Sequence, residues 1–177
     1  MKKTNILLAS VISLSLSTFS LLATANTIDA DDFVEDASAA GIAEIEAGKL
    51  ALQKSSSSAV KVFAQKMIDD HTAANKELAA VAKSKKLEVS TDAELMNKAK
   101  AFALKQRDGE SFDVAYANNQ VAAHEKAIEL FQKGAKSDDA DIRAFAAGAI
   151  PKLETHLHEA HELAASTSAT KMEKKAK

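Results

Sequence analysis

The 177-residue chain has no cysteine and no tryptophan, a single proline, a single tyrosine and five glycines. Without a thiol there is no disulfide framework, thiolate zinc site, iron–sulfur cluster, cysteine nucleophile or lipid anchor on a leader cysteine. The shortage of glycine and proline leaves too few turn formers for an all-β protein. Neither sign of charge dominates, since 23 Lys and Arg stand against 25 Asp and Glu, and a formal net of −2 argues against a nucleic-acid partner. What is present in excess is alanine, 37 residues and the best helix former. With 46% apolar and 27% charged residues the composition predicts a single all-α domain with one core.

Only one long apolar run occurs, from Ile6 to Leu22, preceded by Lys2 and Lys3 and followed by Ala23-Thr24-Ala25. A charged start, an apolar middle and small residues before the cut are the marks of a secretory signal peptide, so residues 1–25 are assigned to it, with cleavage after Ala25. The competing reading is a retained anchor, which the interspersed Ser and Thr and the peptidase-like flank disfavour. Cleavage removes two lysines and no acid, leaving a net charge of −4. The rest has no spanning run, which predicts a periplasmic or secreted protein with no stable membrane insertion.

Helical periodicity divides the mature chain into segments at about 30–54, 58–86, 91–107, 111–135 and 139–165. Asp31 and Asp32 favour the start of the first, the Ser55–Ser58 run ends it, and Thr91-Asp92-Ala93-Glu94 has the spacing of a capping box. Four segments of about 25 residues, roughly 37 Å each, have the dimensions of a four-helix bundle. The shorter segment, roughly 25 Å, is long enough to carry the chain back along the bundle. The expected fold is therefore a ferritin-like bundle running up-down-down-up with a shorter crossover helix, over 26–165. Residues 166–177, basic and without apolar period, are expected to be a disordered tail.

Three histidines interrupt the apolar stripes. His71 continues Val60, Phe63, Ala64, Met67 and Leu78; His124 continues Val114, Val121, Ile128 and Phe131; His156 continues Ile142, Phe145, Ala149 and Leu153. The first long helix offers a seam of small residues, Ala37, Ala40, Gly41, Gly48 and Ala51, around one carboxylate, Glu44. Any one of these histidines alone reads as a hydrogen-bonded core residue. Together, with His71 and His124 each about 13 residues into their helices, they have the register to converge. Imidazoles and a carboxylate suit one transition-metal ion, and the spacing does not choose among zinc, copper, iron and manganese. The predicted ligand set is Glu44, His71, His124 and His156. Asn75 and Gln120, one turn away, are expected to orient His71 and His124, while Asp70 and Glu125, about 100° round their helices, are expected to face solvent or a neighbouring helix edge. Tyr116 is expected to be a packing residue with a hydrogen-bonded hydroxyl.

A di-iron oxidase of the ferritin type needs Glu-x-x-His motifs, but Ile68, Val121 and Leu153 stand three residues before the histidines. His158 and His161 read as a solvated face. No Ser-His-Asp order, phosphate loop or catalytic carboxylate pair is present, so no enzymatic activity is assigned. The alternative to a metal protein is an interaction module with a buried histidine hydrogen-bond network.

Phe33-Val34, Ala-Gly-Ile-Ala-Glu44, Val60-Lys-Val-Phe63-Ala64 to Met67, Asp70-His71, Asn75, Phe112-Asp113 to Tyr116, His124 and Pro151-Lys-Leu153 to His156-Leu157 together resemble the exported bacterial family called domain of unknown function 4142. The resemblance spans about 33–165, departing at Ile150, where the family usually has Leu. It implies a ferritin-like bundle behind a signal peptide and no established activity. The outer-membrane label often given to its members finds no counterpart in this sequence.

Overall fold

A computed structural model describes residues 27–93 and 95–175; the expected signal segment at 1–25 and Glu94 of the expected capping box lie outside the described residues. The described chain folds into five helices, α1 Ala30–Lys54, α2 Ser58–Lys85, α3 Leu95–Lys105, α4 Gly109–Gly134 and α5 Ala140–Lys175. Their ends follow from local chemistry. Ser57 accepts a hydrogen bond from the amide of Val60 to open α2. Lys86 closes it in the left-handed region at φ 61°, and Leu87 donates back to the carbonyl of Ala82. The Asp139 carboxylate accepts from the amides of Asp141 and Ile142 at 2.9 and 3.1 Å to start α5.

Two ion-pair groups fix the direction of the helices. Lys54, at the end of α1, reaches the carbonyl of Arg107 and the carboxylate of Asp108 at 2.8 and 2.7 Å, just before α4. Lys85, at the end of α2, pairs with Asp139 and Asp141 at the start of α5, at 2.7 and 2.8 Å. The end of α1 therefore shares one end of the bundle with the start of α4, and the end of α2 shares the other with the start of α5. The order is up-down-down-up, and α3, resting on α1 and α4, lies within the crossover. The expected disordered tail is corrected: α5 continues to Lys175. Thr167 stays buried, its hydroxyl bonded to the carbonyl of Leu163, and the Ala- and Lys-rich sequence beyond has good helix propensity.

The core is divided in two. Around the α1–α2 turn, Val60, Phe63, Met67, Phe112, Tyr116 and Leu163 form one apolar cluster. Toward the opposite end, Phe33, Leu78, Phe131, Ile142, Ala146 and Leu153 form another, with Phe33 edge-on to Phe131 at 5.2 Å. Between the clusters lies a polar layer that includes Glu44, Gln120, His124 and His156.

Small residues on α1 allow α2 to come close enough to hold this layer. A Cβ on Gly48 would stand 2.9 Å from the carbonyl oxygen of Ala64 and 2.8 Å from Ile68, whereas one on Gly148, in α5, would meet nothing. Gly48→Ala should lower stability by about 1–3 kcal/mol despite the gain in helix propensity, because backbone must move. Gly148→Ala should raise it by roughly 0.5–1 kcal/mol. Urea unfolding of the two variants checks the pair, and equal effects of one sign would remove the close-approach argument.

Candidate metal centre

His71, His124 and His156 sit midway along α2, α4 and α5 and meet in the polar layer. Their ring centroids are 5.6 Å apart for His71–His124, 5.6 Å for His71–His156 and 5.3 Å for His124–His156. One ring nitrogen from each lies within 4.8 Å of the other two. The height of His156 is not readable from the start of its helix, and the structure places it level with the others.

The tautomers follow from the outward contacts. His124 Nδ1 lies 2.9 Å from the carbonyl oxygen of Gln120, and His156 Nε2 lies 2.9 Å from Asp70 Oδ2. A carbonyl and an ionised carboxylate only accept, so both contacting nitrogens carry the proton. The opposite nitrogens, His124 Nε2 and His156 Nδ1, then present lone pairs. These two, together with His71 Nε2, are shielded from solvent and have no hydrogen-bond partner among the described residues. Fixing one imidazole nitrogen outward and aiming the other inward is the arrangement of a metal-binding histidine. The site fits an ion in this respect: a tetrahedral centre spaces its nitrogens about 3.3 Å apart, so each ring need move less than about 1 Å.

Burial keeps His71 and His156 neutral. Burial, reinforced by the two neighbouring rings, pushes the His71 pKa down from 6.5 to about 3. Burial also lowers His156 to about 4, against the opposing pull of Asp70. Burial works against ionisation of Asp70, but hydrogen bonds from Lys152 and His156 outweigh it and hold its carboxyl at about 2. Asp70 is thus a permanent anion serving His156, with Lys152 at 2.9 Å and Lys66 at 3.5 Å.

Asp70 turns away from the His71 direction to a neighbouring helix edge, one of the two places expected for it, and there meets the outward nitrogen of His156 on α5. Other expectations about the surrounding residues change. Asn75 does not orient His71; its amide donates to the carbonyl of Ser38 at 3.2 Å. Gln120 orients His124 through its backbone carbonyl, while its side chain donates to Glu44 Oε2 at 2.7 Å. Glu44 is buried in the same layer but outside the set of three mutually close nitrogens. Burial raises its pKa, with His124, Gln120 and Lys100 pulling the other way. Tyr116 is fully buried as expected, yet its hydroxyl has no partner. His158 is exposed, 3.5 Å from Glu162.

The buried face of α4 runs Phe112, Asp113, Tyr116, Ala117, Gln120, His124 and Phe131; of the expected line, His124 and Phe131 are buried, while Val114, Val121 and Ile128 are half-buried at its edge. Apolar period does not point to Asp113 and Gln120 as buried; the signal that finds them is their i, i+7 spacing in register with His124. A cavity of about 230 Å³ adjoins the triad, with Glu44, His71 and His124 in its wall.

Burial of the neutral rings makes the metal-free protein acid-sensitive. The unfolded chain protonates these rings near pH 6.5, the folded chain only near 3 and 4, so the unfolded state binds more protons throughout the interval. Stability therefore falls as pH drops from about 6.5 toward 4. The urea midpoint of the metal-free protein should decline steadily between pH 7 and pH 4.5, with His71→Leu declining less. A midpoint unchanged down to pH 5 would mean that the rings are hydrated.

No helix among the described residues is long and apolar enough to cross a membrane. No curated protein matches the chain. Among solved structures, the crystal structure of a DUF305 protein from Streptomyces coelicolor, itself classed by expectation as secreted, is similar, with TM-score 0.68 at 16% identity over 81% of this chain and 96% of that one. That likeness is one of fold. The pattern from Phe33-Val34 to His156-Leu157 has its counterpart in a family match over residues 19–163, and the chain belongs to that family, described as Domain of unknown function (DUF4142).

Proposed function

We propose that this protein binds one transition-metal ion inside its bundle through His71, His124 and His156, and that it handles this ion outside the cytoplasm. Two observations carry the reading: one ring nitrogen of each histidine lies within 4.8 Å of the other two, and each ring has a buried nitrogen without a partner among the described residues. Uncompensated lone pairs facing each other in a core are unfavourable, and a cation relieves them. A cation at the rings would favour the ionised form of Glu44 against the upward push of burial, so this carboxyl in the cavity wall, held by Gln120, would supply negative charge to the site. Neutral imidazoles and one carboxylate suit zinc, copper, iron or manganese. Export follows from Lys2-Lys3, the apolar run and the Ala23-Thr24-Ala25 flank.

A histidine hydrogen-bond network without metal is the weaker reading. Such a network needs ring nitrogens bonded to one another or to a common partner, and the three inward nitrogens make no such bond.

Elemental analysis of untagged protein from the periplasm, beside the triple His71, His124, His156→Ala variant, tests the proposal. About one equivalent of a single metal, absent from the variant, is expected. No metal in either protein after reloading with zinc, copper, iron and manganese would overturn it. Asp70→Asn, which leaves all three imidazoles in place but weakens the anchor of His156, should reduce metal affinity roughly 10- to 100-fold in a chelator competition.

A further inference from the structure

Holding an ion does not account for the cavity beside the triad. Its volume, about 230 Å³, exceeds the roughly 150 Å³ of an engineered apolar cavity known to take up benzene. His71 and His124 are in its wall, and their Nε2 atoms are the unpartnered ones; His124 is 1% exposed. The wall has an apolar stretch, Ala74, Leu78, Ala127, Phe131 and Leu153, and a polar one that includes Asp36, Asn75 and Lys152. Against the apolar stretch water is held poorly, since each molecule needs two to four polar partners.

Charge selects the ligand further, and this step rests on the metal reading above. A divalent ion with three neutral imidazoles and the Glu44 carboxylate leaves one positive charge uncompensated in apolar surroundings, which is costly. Three imidazoles also leave a tetrahedral ion one open position. Lys100, Lys126 and Lys152 in the wall outnumber Asp36 and Asp70 there, which favours the approach of an anion.

We propose that the cavity binds a small monocarboxylate with an apolar body the size of benzoate, its carboxylate taking the open position on the ion and its body packing against Leu78, Phe131 and Leu153. The carboxylate completes the charge balance, and the apolar body gives selectivity over acetate or chloride.

Cobalt(II)-loaded protein, whose visible spectrum reports changes in coordination, is titrated with benzoate and with acetate. Benzoate should perturb the spectrum with a Kd at least about tenfold below that of acetate. Ala127→Leu and Ala74→Leu narrow the cavity without touching a nitrogen donor. Each should keep one equivalent of cobalt and lose the preference for benzoate, and either suffices if the other fails to fold. Equal affinities, or a preference that survives in the narrowed variants, would overturn the apolar site. A cobalt spectrum indifferent to both anions would overturn the open position while leaving the metal site standing. Failure to bind cobalt, zinc, copper, iron or manganese would remove the metal reading and this one together.

Discussion

Three imidazoles share one layer of the core, and the rest of the bundle is arranged around the need to hold them there. Buried polar groups ordinarily find partners, because an unsatisfied one loses its hydration for nothing in return. Here each ring is satisfied at most on its outer side, by the Gln120 carbonyl for His124 and by Asp70 for His156, and the inner sides face one another. That arrangement survives because an apolar cluster on either side supplies the stability. One is built on Phe63, Phe112 and Tyr116, the other on Phe33, Leu78 and Phe131. They also fix the three helices axially, and a slip of a single turn, about 5.4 Å, would carry a histidine out of the layer.

How much of this the sequence discloses depends on whether a residue's role is local or set by its neighbours. Helix lengths, the crossover and the inward line of the three histidines are legible because they depend on period and on chain length, which are one-dimensional. The seam of small residues on α1 is legible for the same reason, and Gly48 against Ala64 shows its purpose. The partners of the rings are not. Asp70 adjoins His71 in the chain but serves His156 on another helix, and that pairing exists only once α2 and α5 lie side by side. The extent of α5 is missed because a basic, polar tail lacks apolar period, yet good helix formers extend a helix already anchored by Leu163 and Thr167.

The inward face of α4 shows a second limit of period-based reading. Apolar spacing favours Val114, Val121 and Ile128, but the buried face runs Asp113, Tyr116, Gln120 and His124. An amphipathicity argument assumes that the core side is the apolar side. In a bundle whose middle layer is polar, this fails over the stretch that supplies that layer. Gln120 has to face inward to donate to Glu44 on α1, and its backbone carbonyl orients His124 one turn on, so a single residue sets both the carboxylate and a ring. Disagreement of this kind between local pattern and global fold is expected at functional or strained stretches.

The connection between site and fold runs in both directions. Helices α1 and α2 pack chiefly on each other, as do α4 and α5, so the bundle is two hairpins with a less extensive interface between them. His71 comes from the first hairpin, His124 and His156 from the second. Asp70 reaches across the same interface to Lys152 and His156, and Lys54 and Lys85 join the hairpins at the two ends. An ion bound by the three rings therefore joins the hairpins at mid-height, where the interface is otherwise polar. Because it binds only the docked arrangement, its binding free energy adds to the stability of the docked state. A bundle with an apolar middle layer would dock its hairpins unaided; this one gives up that contribution at the layer where the proposed ion would replace it.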